Sequence, residues 1–240
     1  WEGTANRDYS LDLRRIPFSV DQQISTVAIP ITENNVYVTD IEYSPLVGGF
    51  AIVLSNGKAA FLTAQSLKFD PNQVQGIWAR YLEDATCAAV NHKYRLIAFG
   101  RENSEGVVYY VDETTGALEV SHTLNLSSKD YPGKPGRVNC IRWTPDSCAI
   151  ALAWESGGLA IWSTFGALLL CTLKWDYGLH VDLTRDNPLH IRTMEWSAEG
   201  YQLWMLRESP EKEENGNFEG KKAVVQLDFV KSPLTVNPCM

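Results

Sequence analysis

The fold is easiest to predict from the stretch Arg137–Leu173, RVNCIRWTPDSCAIALAWESGGLAIWSTFGALLLCTL. It divides into four short runs rich in apolar, β-branched and aromatic residues, with a turn between each pair. The turns use Pro, which fixes φ, Asp, which bonds to its own backbone, and Gly, which supplies positive φ. Four strands joined by tight turns form one antiparallel sheet, and such a sheet needs neighbours to cover its faces. The predicted strands are Val138–Trp143, Cys148–Ala153, Leu159–Ser163 and Ala167–Leu173.

The same pattern repeats along the chain. Trp143-Thr-Pro-Asp returns as Trp196-Ser-Ala-Glu, and Val38–Tyr43 followed by Ser-Pro matches Val138–Trp143 followed by Thr-Pro. Thr86–Asn91 also aligns with Val138–Trp143. A four-stranded unit that recurs about every 40–50 residues is the signature of a WD- or kelch-like β-propeller. The sequence therefore predicts an all-β, WD-like propeller segment.

The repeats predict about four four-stranded antiparallel blades. Closed propellers have about four to eight blades, and the chain opens at Trp1 in what reads as the middle of a blade, so we expect part of a larger ring. The charged run ESPEKEENGNFEGKK has no apolar periodicity and predicts a disordered hairpin insertion. The predicted units are the end of a preceding blade with a connector (1–35), four blades (36–83, 84–135, 136–188 and 189–240) and the insertion in the last blade (208–222).

Composition and charge narrow the classes of function. The net charge of −8 and the pI near 5.0 oppose a nucleic-acid partner, which favours a basic surface. No apolar run reaches the length of a membrane span. The five cysteines have no CxxC spacing, and we expect small buried side chains in a reducing compartment.

The sequence carries no recognisable catalytic or metal-binding motif. It has no GxSxG, Walker, GxGxxG or HExxH pattern, and its four histidines lack metal-ligand spacing. Three acidic residues fall on predicted innermost strands, where we expect them to alternate with core residues or to pair with nearby arginines. The sequence therefore names no catalytic, cofactor-binding or metal-binding residue, and it predicts an interaction platform that is not an enzyme and needs no cofactor. The acidic residues are Asp40, Glu42 and Glu195, and the arginines are Arg142 and Arg192.

Two loops between predicted strands carry distinctive side chains. His92-Lys-Tyr-Arg is a basic turn that we place at one rim of the predicted propeller. The connector Lys174–Leu189 carries Trp175 and Tyr177, which either anchor a partner or fold onto the rim of their own blade.

Ten stretches, which together cover most of the chain, carry a more specific resemblance. They are Arg14–Asp21, Asp40–Tyr43, Gly49–Val53, Gln75–Trp78, Ala89–Gly100, Thr115–His122, Ile141–Asp146, Trp154–Ser163, Phe165–Leu173 and Trp196–Trp204. In this order they resemble the Ric-type large subunit of the Ric–Rgp complex. The departures from that family lie in Asn125–Gly136, Trp175–Leu189 and Glu208–Lys222, which are connectors and the insertion.

The resemblance implies a guanine-nucleotide exchange complex. In this family the Ric-type subunit pairs with an Rgp-type subunit and acts on a Golgi Rab GTPase of the Rab-six (yeast Ypt-six) class in retrograde vesicle traffic. The implied location is cytoplasmic and peripheral on Golgi membranes, with membrane association only through partners. Exchange factors work by differential binding, which needs a shaped surface rather than a nucleophile.

Two alternatives remain open at this point. One is a scaffold propeller of a coat or tethering complex that has no exchange activity. The other is a propeller enzyme, which would require acidic or histidine side chains that converge at the mouth of the channel.

Overall fold

A computed structural model describes residues 2–6, 10–14, 26–30, 36–63, 77–79, 82–114, 117–155, 158–173, 190–198, 201–208 and 222–229. Every regular element in these ranges is a β-strand, and the strands pair antiparallel with their chain neighbours. Among these residues no helix is long and apolar enough to cross a membrane. The prediction of an all-β chain built from antiparallel units is confirmed; in the described residues three of the sheets have the expected four strands and two have three.

The strands form five sheets, of which the last four are named blades 1 to 4 in chain order. The N-terminal sheet contains β1 (Glu2–Asn6), β2 (Ser10–Arg14) and β3 (Thr26–Pro30). Blade 1 contains β4 (Val38–Ser44), β5 (Gly49–Leu54), β6 (Ala59–Thr63) and β7 (Ile77–Trp78), and blade 2 contains β8 (Ala85–Val90), β9 (Leu96–Arg101), β10 (Gly106–Val111) and β11 (Leu118–Leu124). Blade 3 contains β12 (Val138–Trp143), β13 (Ala149–Trp154), β14 (Leu159–Ser163) and β15 (Leu168–Cys171), and blade 4 contains β16 (His190–Trp196), β17 (Gln202–Glu208) and β18 (Lys222–Asp228).

The four blades stand around a common centre. The first strand of each blade is its innermost strand, and β4 contacts β8, β8 contacts β12, and β12 contacts β16. Buried clusters fill the spaces between blades 1 and 2, between blades 2 and 3, and between blades 3 and 4. This is the arrangement of a propeller segment, in which each blade buries its faces against its neighbours.

Each innermost strand has a β-bulge at the same place in its pairing with the second strand. The inserted residues are the equivalents of one another in the four blades, and their side chains line the central cleft described below. A bulge adds one unpaired residue and re-aims the side chains around it. The inserted residues are Thr39, Thr86, Asn139 and Arg192.

The bulges correct the alignment of the repeats. In the ladder of blade 2, Ala85 precedes the bulge as Val138 does in blade 3, so the equivalent of Val138 is Ala85 and not Thr86. The predicted alignment is wrong by one residue, because similar apolar residues on both sides of a fully buried strand leave its register open. A slip of one residue moves every side chain to the opposite face of the strand.

Two other expectations differ from the structure at their edges. The region before residue 36 was expected to hold the end of a preceding blade and a connector, and its described residues form a three-stranded sheet. Glu208 and Lys222, the ends of the predicted insertion, are strand residues that pair with each other across β17 and β18. Residues 209–221 and the connector with Trp175 and Tyr177 lie outside the described residues.

Candidate functional site

The innermost strands of the four blades line a polar cleft of about 430 Å³. Every blade contributes to it, because the bulge residue of each innermost strand points there. The cleft combines arginines with carboxylates and short polar side chains. Its charged lining residues are Asp40, Arg137, Arg142, Glu155, Arg192 and Glu208, together with His190.

Arg142 links three of the four blades across the centre. It lies on β12, and its Nε atom is 3.2 Å from Oε2 of Glu195 on β16. Its Nη1 atom is 3.7 Å from Oε1 of Glu42 on β4 and donates to the carbonyl of Ile141 at 2.9 Å. Glu42, Arg142 and Glu195 occupy equivalent ladder positions, and blade 2 has the small Ala89 there, which leaves space for the arginine to reach blade 1.

The electrostatics of this cluster follow from partial burial. Burial raises the pKa of Glu42, Arg142 opposes that increase, and Asp40 and Glu195 add to it. Burial acts to lower the pKa of Arg142, but Cys140, Glu42 and Glu195 outweigh it and raise that pKa. Arg142 therefore stays a cation that two carboxylates hold in place, and this pairing is the one that the sequence suggested for Glu42 and Glu195.

Asp40 has a structural role in the contact between blades 1 and 2. Its Oδ2 atom accepts a hydrogen bond of 2.8 Å from the backbone N–H of Ala88 in blade 2. Its Oδ1 atom accepts a hydrogen bond of 3.0 Å from the N–H of Ile41. Both carboxylate oxygens are therefore engaged by backbone donors, so Asp40 fastens blade 1 to blade 2 and is not placed as a free general base.

Two of the bulge residues fasten their blade to the next one. Thr86 donates from Oγ1 to the carbonyl of Val138 at 2.6 Å, and Asn139 donates from Nδ2 to the carbonyl of Ile191 at 3.2 Å. The fourth bulge residue, Arg192, is exposed and forms no ion pair with another described residue. The expected pairing of Arg192 with a neighbouring acidic residue is therefore not found in the described part of the chain.

The thiols that line the cleft are poor nucleophiles. Burial raises the pKa of Cys87 to about 12, with a further increase from Cys140, and burial also raises the pKa of Cys140. A thiol reacts as its thiolate, so neither group is activated. The described residues include no cluster of His, Cys, Asp and Glu that could hold a metal ion.

Sequence reasoning identified the charged residues of the innermost strands but missed how they connect. The bulges that aim Thr86 and Asn139 into the cleft cannot be recognised from the sequence of one short strand alone. The span from Arg142 to Glu42 depends on a small residue in the blade between them. A complete alignment of the four repeats in their bulged register would have revealed both.

Two mammalian proteins match the chain over its whole length, and a nematode protein matches most of it. It is 42% identical to the mouse and human proteins named guanine nucleotide exchange factor subunit RIC1, over 248 and 250 residues, and it spans 17% of their length. It is 35% identical over 223 residues to the Caenorhabditis elegans protein named guanine nucleotide exchange factor subunit R06F6.8, where the match covers 87% of this chain and 14% of the worm protein. No protein-family model matches the chain.

Solved structures support the fold alone. A protein of unknown function from Desulfotomaculum acetoxidans superposes with a TM-score of 0.57 at 16% identity, over 85% of this chain and 59% of that one. A chain of the mitotic checkpoint complex superposes with a TM-score of 0.56 at 13% identity, over 84% of this chain and 57% of that one.

The resemblance found in the sequence is confirmed by the match of the whole chain to a part of the RIC1 proteins. This chain is homologous to a segment of the Ric-type subunits.

Proposed function

We propose that this chain is the propeller region of a guanine-nucleotide exchange factor subunit that activates a Golgi Rab GTPase. The observation that carries the proposal is the 42% identity, over the whole chain, to two proteins named as subunits of such a factor. The chain spans 17% of those proteins, so exchange itself belongs to the longer protein and its complex.

The chain acts in this proposal through binding and not through bond chemistry. An exchange factor binds the nucleotide-free GTPase more tightly than the nucleotide-bound form, and this difference in affinity weakens the hold on nucleotide. Such a role requires a rigid surface of defined shape. The hydrogen bonds from Asp40 to Ala88, from Thr86 to Val138 and from Asn139 to Ile191 tie successive blades together and support that requirement.

The finer parts of the proposal concern partners and location. We assign an Rgp-type subunit as the second member of the complex, and the nucleotide-free or GDP-bound form of a Golgi Rab as its target. The complex would lie on the cytoplasmic face of Golgi membranes, attached through its partners, and would serve retrograde vesicle traffic. The family resemblance supports these assignments, and the acidic surface with a net charge of −8 agrees with a site away from nucleic acid.

Nucleotide release tests the proposal. The Golgi Rab is loaded with a fluorescent GDP, and release is followed with no addition, with the complete two-subunit complex, and with the partner subunit added together with a protein that lacks residues 1–240. We expect stimulation by the complete complex and its loss in the shortened one, while EDTA sets the maximal release in each sample. Failure of the complete complex to stimulate release would refute the exchange role. Full stimulation by the shortened complex would instead favour a scaffold role for this region.

A further inference from the structure

One rim of blades 2 to 4 carries aromatic side chains on its turns, of which Phe165 and Tyr201 are exposed and Tyr94 is half-buried. The turns from the first to the second strand of a blade, and from the third to the fourth, lie on the same rim because neighbouring strands run in opposite directions. Four such turns supply a set of residues that we name the aromatic rim patch. Its members are Lys93, Tyr94, Asp146, Phe165 and Tyr201.

Direct contacts make the patch continuous across three blades. The ring of Phe165 in blade 3 packs edge-on against Tyr94 in blade 2, with 5.6 Å between ring centroids and an interplanar angle of 62°. The hydroxyl of Tyr201 in blade 4 donates to Oδ2 of Asp146 in blade 3 at 2.6 Å. These two contacts cross the junction of blades 2 and 3 and that of blades 3 and 4.

The backbone beneath the patch is held from both sides. The carbonyl of Ser147, next to Asp146, accepts hydrogen bonds from Thr164 Oγ1 at 2.5 Å and from Asn91 Nδ2 at 3.2 Å. Thr164 immediately precedes Phe165, and Asn91 opens the turn that carries Tyr94. The turns of blades 2 and 3 are thus fastened to one carbonyl, which fixes the relative positions of Tyr94 and Phe165.

Phe165 is a pre-organised anchor. Its side chain is 73% exposed, although an aromatic ring of this size usually gains by burial. Its turn is closed by a hydrogen bond of 2.8 Å from the N–H of Ser163 to the carbonyl of Ala167, and Gly166 has φ of +93°. A Cβ atom on Gly166 would lie 2.9 Å from the ring of His122, so the turn also packs closely on blade 2. A fixed aromatic side chain loses little conformational entropy on binding.

The charge beside the ring indicates the chemistry of the partner. The ammonium of Lys93 stands 5.5 Å from the centroid of Tyr94, and His92 is exposed in the same turn. A partner that fills this region must offer an apolar pocket for the ring and a carboxylate for the lysine. Stable subunit interfaces have such a centre, with aromatic anchors surrounded by polar groups.

We propose that the aromatic rim patch binds the second subunit of the exchange complex, with Phe165 in an apolar pocket of that subunit and Lys93 against one of its carboxylates. The inference rests on the proposed function only in requiring a second subunit. The matching relatives are themselves named as subunits, so a permanent partner is the occupant that the comparison favours over a transient one.

The experiment measures the affinity of the full-length protein for the purified Rgp-type subunit. We expect Phe165→Ser to raise the Kd at least about tenfold, as loss of a central aromatic anchor does. Lys93→Glu should raise it less and mainly at low salt, because the pair it breaks is near solvent. Tyr37→Ser is the matched control, since Tyr37 is 58% exposed on the opposite rim, and it should leave the Kd unchanged.

Two readouts separate the outcomes. Thermal unfolding of each variant establishes that the fold is intact, which is expected because Phe165 and Lys93 are exposed. An unchanged Kd for folded Phe165→Ser would overturn the inference, and if nucleotide release fell in that same variant the patch would contact the GTPase instead. A complex that assembles through the patch but does not stimulate nucleotide release would refute the proposed function and leave this inference standing.

Discussion

The junction between blades 2 and 3 is lined by apolar side chains, whereas the central cleft is lined mainly by polar and charged ones. The junction is apolar: the bulky Trp154 and Leu152 of blade 3 lie in one buried cluster with the small Ala98 of blade 2. Val138 of blade 3 lies against Gly100 of blade 2. The cleft is polar and open, and its central contact is the pair of ion pairs made by Arg142. Both regions use side chains of β8 and β12, the innermost strands of blades 2 and 3.

The apolar junctions contribute most of the folding stability, and the polar contacts of the cleft select the register of the innermost strands. Full burial of one large apolar side chain contributes about 1.5–3 kcal/mol, whereas an ion pair near solvent contributes about 0–1 kcal/mol. The junctions therefore hold the blades together. The cleft sets which strand positions face each other, because hydrogen bonds such as that from Thr86 to Val138 are satisfied in one register only. Changes in the two regions should accordingly differ in size.

The largest loss is expected for Trp154→Ala. Trp154 is fully buried, packs edge-on against Trp162 at 6.1 Å, and donates from Nε1 to the carbonyl of Ser104 in blade 2 at 2.9 Å. Its truncation should lower the free energy of unfolding by about 3–5 kcal/mol, measured by chemical denaturation. Trp204→Ala is the matched control: Trp204 is 43% exposed, and its loss should cost much less. Equal losses for the two variants would contradict the distinction between junction and surface.

Gly100→Ala should give the next largest effect. An added Cβ would lie 2.6 Å from Cγ1 of Val138 and 2.7 Å from Sγ of Cys87, so blades 2 and 3 would have to separate. We expect a loss of about 1–3 kcal/mol in the free energy of unfolding, from overpacking. The double variant Gly100→Ala with Val138→Ala should recover part of that loss, since it removes the methyl group that the new Cβ meets. A double variant no more stable than Gly100→Ala alone would argue against a steric cause.

A smaller effect is expected in the cleft. Because Arg142 and Glu195 meet near solvent, the coupling free energy from a double-mutant cycle of Arg142→Met and Glu195→Gln should stay below about 1 kcal/mol. Removal of Arg142 should also raise the pKa of Glu42 further, since the cation acts to lower it. Chemical denaturation measures the first quantity, and NMR titration of the Glu42 carboxyl measures the second. A coupling well above 2 kcal/mol would place the stability of the segment in the cleft.

The smallest effect concerns Asp146 on the aromatic rim patch. Partial burial acts to raise its pKa, but hydrogen bonds from Thr144, Tyr201 and Cys148 outweigh it and lower the pKa from 3.8 to about 2. The native state therefore favours the carboxylate, and the resulting stability is present above about pH 4 and is lost as the pH falls towards about 2. The gain is small because the group is largely exposed. Asp146→Asn should remove this acid dependence of unfolding, and Tyr201→Phe should reduce it in part; an unchanged pH profile in both variants would contradict the assignment.

The four-stranded blades could be predicted because their signals are local. Apolar runs of strand length, turn residues between them and the return of Trp-Thr-Pro-Asp as Trp-Ser-Ala-Glu all lie within one repeat or the next. The N-terminal sheet was only partly predicted. Its strand Glu2–Asn6 is partly polar, and its strand Thr26–Pro30 lies in the stretch expected to be a connector. Local pattern therefore predicts strands best where apolar runs and turn residues alternate clearly.

From the sequence we predicted the class of fold, the charged residues of the innermost strands and the family that the chain resembles. The folded structure was needed to find the register of blade 2, the partners of Arg142, and the contact of Phe165 with Tyr94. The physical reason is that a strand ladder has a period of two, so one bulged residue reverses which face a side chain occupies. Contacts between blades join residues far apart in the chain, and the packing of whole sheets, rather than any local preference, brings those residues together.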